Sequence, residues 1–212
     1  MRKILVIGCA LLVLTTLPLM AGINKGTVAG YYSVESSEQY LSEWGSSTAV
    51  DIESTSVGLM AKGSSFSDPA NPFGYSYNLR IGKTLESKVD GSEEDVSDIP
   101  LRWDIGVYAA FQQDVSYSTF VEAGAGLQFG SESETWTSGS SDYSWEIFSA
   151  YVAGYAEINY AVTATTFVSI GAKALLPIGG TVTLSINDIS AESDIEMSGF
   201  ALAPYVGISL AY

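Results

Sequence analysis

The chain has no histidine and a single cysteine, Cys9, among 212 residues. Without histidine, the commonest general base near neutral pH and the commonest metal ligand are both missing. Cys9 lies in an N-terminal apolar run that reads as a removable leader. The remaining chain then holds no disulfide, thiol nucleophile or thiolate metal site. Basic residues are also scarce, with 9 Lys and Arg against 24 Asp and Glu and a net charge of −15. Phosphate backbones are held by basic patches, so the composition excludes nucleic acid as a partner. Past the leader, no apolar run reaches the ~20 residues that a membrane helix requires. If this chain crosses a bilayer, strands must carry it, because only helices and closed barrels satisfy every backbone group in lipid.

The leader spans residues 1–21. Arg2 and Lys3 form its positive start, Ile4 to Leu17 its apolar body, and Leu19-Met20-Ala21 a cleavage site before Gly22. Lipidation at Cys9 would leave Ala10 to Met20 attached, which excludes a lipoprotein. Removing Arg2 and Lys3 takes the charge from −15 to −17. Residues 22–212 are one domain by length, with no Pro- or Gln-rich linker.

What the chain has in abundance is alternation. In residues 199–212, Phe200, Leu202, Pro204, Val206, Ile208, Leu210 and Tyr212 fall on one face. Gly199, Ala201, Ala203, Tyr205, Gly207, Ser209 and Ala211 fall on the other. Side chains of a strand alternate between faces, so this segment has one bulky apolar side and one small or polar side. Similar segments recur near 26–35, 55–66, 74–83, 100–112, 119–130, 145–160 and 166–184, which predicts eight strands. Gaps 67–73, 113–118 and 161–165 are short, and the gaps that alternate with them are long. Short turns on one side and long loops on the other are the pattern of a transmembrane barrel. Of the 24 acidic residues, 19 fall in or beside the long gaps, which are rich in Ser and Gly and read as flexible loops.

Alternation alone does not say which face is inside. A soluble, lipocalin-like barrel would turn the apolar set inward. The polar face here carries much Gly, Ala and Ser, a poor coat for a soluble surface but suited to the cramped interior of eight strands. Aromatics also gather towards strand ends: Tyr75, Trp103, Phe111, Phe129, Phe148, Tyr160, Phe167, Phe200 and Tyr212. Such girdles mark the two edges of a bilayer. The expected fold is an all-β, eight-stranded antiparallel transmembrane barrel.

Seven charges then fall on the lumen face: Lys62, Arg80, Arg102, Asp104, Glu122, Glu157 and Lys173. Buried charge is costly when unpaired, so these groups are expected to pair or to reach water. Strand counting sets Lys62, Glu122 and Glu157 at one depth, with Arg80, Asp104 and Lys173 a layer higher. Two readings follow, a packed network that fills the lumen and a salt-bridge gate across a polar path. Catalysis has little to stand on. Ser64 lies two residues from Lys62, but in so serine-rich a chain that proximity is weak, and neither an enzyme nor a cofactor is expected. Asp90, Glu93, Glu94 and Asp95 offer oxygen ligands of the kind Ca²⁺ takes, without the spacing of an EF-hand. A solvated acidic loop is the simpler reading.

The strand spacing, the leader and the aromatic ending at Tyr212 resemble the small outer-membrane barrels typified by the OmpA membrane domain, OmpX and OmpW. The resemblance is architectural and covers residues 22–212. It implies outer-membrane lipid as surroundings and insertion by the outer-membrane assembly machinery, which reads the final strand, here Val206, Ile208, Leu210 and Tyr212. Unlike OmpA, the chain leaves no room for a peptidoglycan-binding domain after the eighth strand. Fold does not choose a function. The expectation is a surface protein whose long acidic loops meet a host or environmental ligand, or support envelope integrity, with a narrow channel for ions or small solutes as the alternative.

Overall fold

The computed structural model describes residues 24–41, 48–67, 71–93, 101–138, 141–187 and 189–211. The leader and its boundary with the domain lie outside the described residues. The strands are β1 (Lys25–Leu41), β2 (Thr48–Phe66), β3 (Phe73–Val89), β4 (Ser92–Glu93), β5 (Leu101–Ser116), β6 (Thr119–Ser138), β7 (Ser141–Ala161), β8 (Thr166–Ile186) and β9 (Ile189–Ala211). β4 is a two-residue return of the β3 hairpin, and the other eight are the strands the sequence predicts. Each long strand pairs antiparallel with its neighbour in the chain, and β1 pairs with β9, so the sheet closes on itself. Closure leaves no unpaired edge among these eight strands, which is the condition for crossing lipid.

The bulky set faces outward. Leu59, Val107, Ile170, Leu176, Val206 and Ile208 are each more than half exposed around the barrel wall. A belt of this size has no place in water and belongs against acyl chains. The small and polar set faces inward, where Ala29, Ala110, Ala153 and Ala203 leave room for the rings of Tyr31, Tyr108, Tyr151, Tyr155 and Tyr205. The soluble alternative is thereby excluded. Trp103, Phe129, Phe148 and Phe200 stand outward towards the β5–β9 extracellular ends, and Tyr75, Phe111 and Tyr160 towards the opposite rim. Phe167 departs from the girdle expected of it. It packs edge-on against Phe120 at 5.1 Å, and both line the mouth on the short-turn side.

The strands are longer than predicted, at 16 to 23 residues for β5 to β9. Much of what reads as acidic loop is strand. Asp51, Glu53, Glu86, Glu192, Asp194 and Glu196 are exposed on hairpins that continue beyond the apolar belt. Glu43, Asp98 and Asp188 lie outside the described residues. The physical reason is a change of solvent. Above the belt the outward positions carry acids that meet water, although Leu85, Leu184 and Ile186 are exposed there as well. Ile52 pairs with Val89 and Ile147 with Val182, while Ile195 is buried. Register shifts in the β2–β3 and β7–β8 ladders lie at this level. The extra residue sits on β3 and on β8, so the faces reverse on those two strands, while β2, β7 and β9 keep the same parity throughout. The β3–β4 turn, Asp90-Gly91, has φ of 50° and 77°, the doubly positive geometry of a type I′ hairpin, which favours glycine.

Candidate functional site

Lumen chemistry begins with a ring of two lysines and two glutamates. Lys25, at the start of β1, lies 2.5 Å from Glu122 and 2.6 Å from Glu157. Lys62 on β2 lies 2.9 Å and 3.0 Å from the same two carboxylates. Glu122 and Glu157 are a directly opposed pair on β6 and β7. Their remaining lone pairs accept from Ser64 (2.7 Å), Tyr155 (2.7 Å) and Tyr205 (3.0 Å). The four ionic side chains are 0–4% exposed. A buried ion pair holds only when geometry and extra hydrogen bonds offset desolvation, and this ring supplies both. Below it, on the short-turn side, a vestibule of about 990 Å³ is bounded by Asn24, Lys25, Tyr117, Phe120 and Phe167. Lys25 is the ring member that lines it.

A second ionic layer lies towards the long-hairpin side. Arg80 Nη2 donates to Asp104 Oδ2 at 2.9 Å across adjacent strands β3 and β5. Arg102 Nε donates to Asp104 Oδ1 at 3.2 Å, its Nη1 to Glu35 at 2.9 Å, and its Nη2 to the Tyr151 hydroxyl at 2.6 Å. Between the two layers, Asn78 Nδ2 donates to Tyr108 OH (3.1 Å), which donates to Gln128 Oε1 (2.8 Å). Lys173 Nζ reaches the same Gln128 oxygen at 3.2 Å and sits 5.1 Å from the Tyr108 ring centre.

The structure therefore joins Lys62, Glu122 and Glu157, and joins Arg80, Arg102 and Asp104. Lys173 makes no ion pair among the described residues and sits between the layers. Two ring and lid members escape a reading of the sequence alone. Lys25 lies one residue before the predicted first strand, and Glu35 at its end, beside a gap read as loop. Their signal is parity, since Lys25, Thr27, Ala29, Tyr31, Ser33 and Glu35 form one uninterrupted face. Ser64 donates to Glu122, not to Lys62, and is fully buried. Asp90 is occupied in its turn, where Oδ1 accepts from the Asp51 amide at 3.0 Å. Glu93 is exposed on β4, and Glu94 and Asp95 lie outside the described residues, among which no cluster of three metal-ligating side chains occurs. Val206, Ile208 and Leu210 face outward on β9, and Tyr212 lies outside the described residues.

With this geometry in hand, the chain can be set beside known proteins. Neisserial surface protein A superposes with a TM-score of 0.50 over 88% of this chain and 97% of its own, at 13% identity. The outer membrane protein OprG from Pseudomonas aeruginosa superposes with a TM-score of 0.55 over 90% and 98%, at 10% identity. The fold is that of the small outer-membrane β-barrels. At such identities the likeness speaks for the fold and not for an activity. No protein-family model and no curated protein sequence matches the chain.

Proposed function

We propose that this outer-membrane barrel works at its outer surface, as a protein that presents an acidic rim to a cationic partner in the surroundings, and that its lumen is packing. The observation that carries this reading is the division of polar groups. Inside, the four-ion ring is 0–4% exposed, and its carboxylates accept three further hydroxyl hydrogen bonds. Outside, Asp51, Glu53, Glu86, Glu192, Asp194 and Glu196 stand exposed on paired hairpin strands, available to meet a ligand. Fixing carboxylates on paired strands lowers the ordering entropy that a flexible loop would lose on binding. The missing histidine, and the burial of Ser64 beside Glu122, support a role without catalysis. Outer-membrane lipid and the assembly machinery are the remaining partners, the latter reading the outward face of β9.

Proteoliposomes carrying the refolded barrel should bind a fluorescent polylysine probe in a salt-sensitive way. The triple variant Glu192→Gln, Asp194→Asn, Glu196→Gln should lose most of that binding while keeping the barrel's electrophoretic folded form. Equal binding by both proteins would overturn the surface reading. The vestibule against the ring favours a second reading, a channel gated by salt bridges. Arg80→Ala tests it: if neither ion flux nor stability changes, the lumen network holds neither a gate nor the fold.

A further inference from the structure

We infer that the middle of the lumen holds a small monovalent anion, of the size of chloride or bromide, between Lys173 and Arg80. Lys173 is 2% exposed and makes no ion pair among the described residues; its one hydrogen bond is to the neutral Gln128. The charged groups acting on it are Arg80, Asp104 and Lys62, two cations and one anion. Asp104 is already shared by Arg80 and Arg102. The acids that balance Arg102, namely Glu35 and Glu132, stand higher, at the lid. Positive charge is thus matched above and below Lys173, but not around it.

Hydrogen-bond accounting at the same level points the same way. Arg80 Nε, Arg80 Nη1 and Gln128 Nε2 are buried donors without a partner among the described residues, and Asn78 Oδ1 is the only open acceptor beside them. Buried polar groups in native proteins are almost always partnered. Three open donors, together with a lysine ammonium that keeps unused protons, make a cradle for an anion and not for a cation. An uncharged guest would satisfy the donors, yet it would leave the lysine's charge uncompensated in a lumen cut off from bulk water. The Lys25–Glu122–Lys62–Glu157 ring lies below these groups, and the contacts of Arg102, Glu35 and Tyr151 lie above them. A guest there is a structural ion captured as the barrel closes, not a solute in transit.

The test is to refold the chain in sodium bromide and, separately, in sodium gluconate at equal ionic strength. Gluconate is a far larger anion than bromide and serves as the non-binding control. Crystals from bromide should show an anomalous peak within hydrogen-bond distance of Lys173 Nζ and Arg80. Thermal unfolding should begin at a higher temperature in bromide, because a ligand that binds only the folded state stabilises it. Lys173→Met should weaken the apparent bromide affinity about tenfold or more, the scale of one charge-assisted contact. Gln128→Glu places a carboxylate beside Lys173 and should expel the bromide from a barrel that still folds; bromide retained in that variant would overturn the inference. No bromide peak, a peak elsewhere on the barrel, or equal unfolding temperatures in the two salts would each overturn the inference.

Discussion

Replacing Glu157 with Gln isolates what the ionic ring contributes. The carboxylate holds Lys25 at 2.6 Å and Lys62 at 3.0 Å, and accepts from the Tyr205 hydroxyl at 3.0 Å. Glutamine keeps the volume and one carbonyl oxygen, so packing and one of these bonds survive. The charge does not survive, and two ammonium groups are left to share Glu122 in a site that is almost fully buried. Removing one partner of a buried ion pair costs about 3–5 kcal/mol, more than two decades in the folding equilibrium at the lower end. Urea titration in detergent micelles, followed by tryptophan fluorescence and the heat-dependent gel shift, reads that loss as a lower midpoint at an unchanged slope. The double variant Lys62→Met, Glu157→Gln restores charge balance, with one lysine facing one glutamate. It should be more stable than the sum of the single losses implies, by about 0.5–3 kcal/mol of coupling. A single-variant loss under about 1 kcal/mol, or strict additivity, would mean that the ring does not hold the lumen together.

Other perturbations separate lipid, packing and water. Val107→Arg sets a charge in the apolar belt and should cost about 2–4 kcal/mol, whereas Asp194→Arg on the outer hairpin should stay within about 0.5 kcal/mol, both read by urea titration in lipid vesicles. Equal costs would contradict the assignment of the belt. Gly171 faces the Tyr205 ring, and a Cβ there would meet Tyr205 Cζ at 2.5 Å and the Ala156 carbonyl oxygen at 2.6 Å. Gly171→Ala should therefore cost about 1–3 kcal/mol by overpacking. Paired with Tyr205→Phe, it should lose the Glu157 bond as well, while the close contacts with ring Cζ and the Ala156 oxygen remain.

How much of this was legible in the sequence depends on which solvent each segment meets. In the bilayer zone the rule is strict, since lipid outside and tyrosine-filled space inside leave no freedom. The alternation of Val107, Tyr108, Ala109 and Ala110 therefore reads directly as wall and lumen. Pairing of Arg80 with Asp104 follows from adjacency of their strands, and the meeting of Glu122 with Glu157 from their equal depth. Above the belt the rule reverses, and a pattern read with the lipid rule looks like loop. Asp51 and Glu192 read as flexible gaps because serine-rich, acidic stretches carry no outward apolar face. Inward Ile52 and Ile195 hold the signal instead, and on β3 the extra residue opposite Thr55 and Ser56 breaks the alternation. Lys25 was missed by a single residue at a strand end, where hydrophobic periodicity says least. Barrel stagger shifts depth between distant strands, so strand counting alone does not fix the neighbours of Lys173.

The central claim is that the lumen is closed and the outer surface does the work, and conductance tests it most directly. The refolded chain is inserted into a planar lipid bilayer under applied voltage, with insertion verified by protease protection of the belt. The account predicts a silent membrane, unchanged by voltage, for a barrel whose ionic ring is intact. Discrete, reproducible current steps would contradict it and make the Lys25–Glu122–Lys62–Glu157 ring a gate.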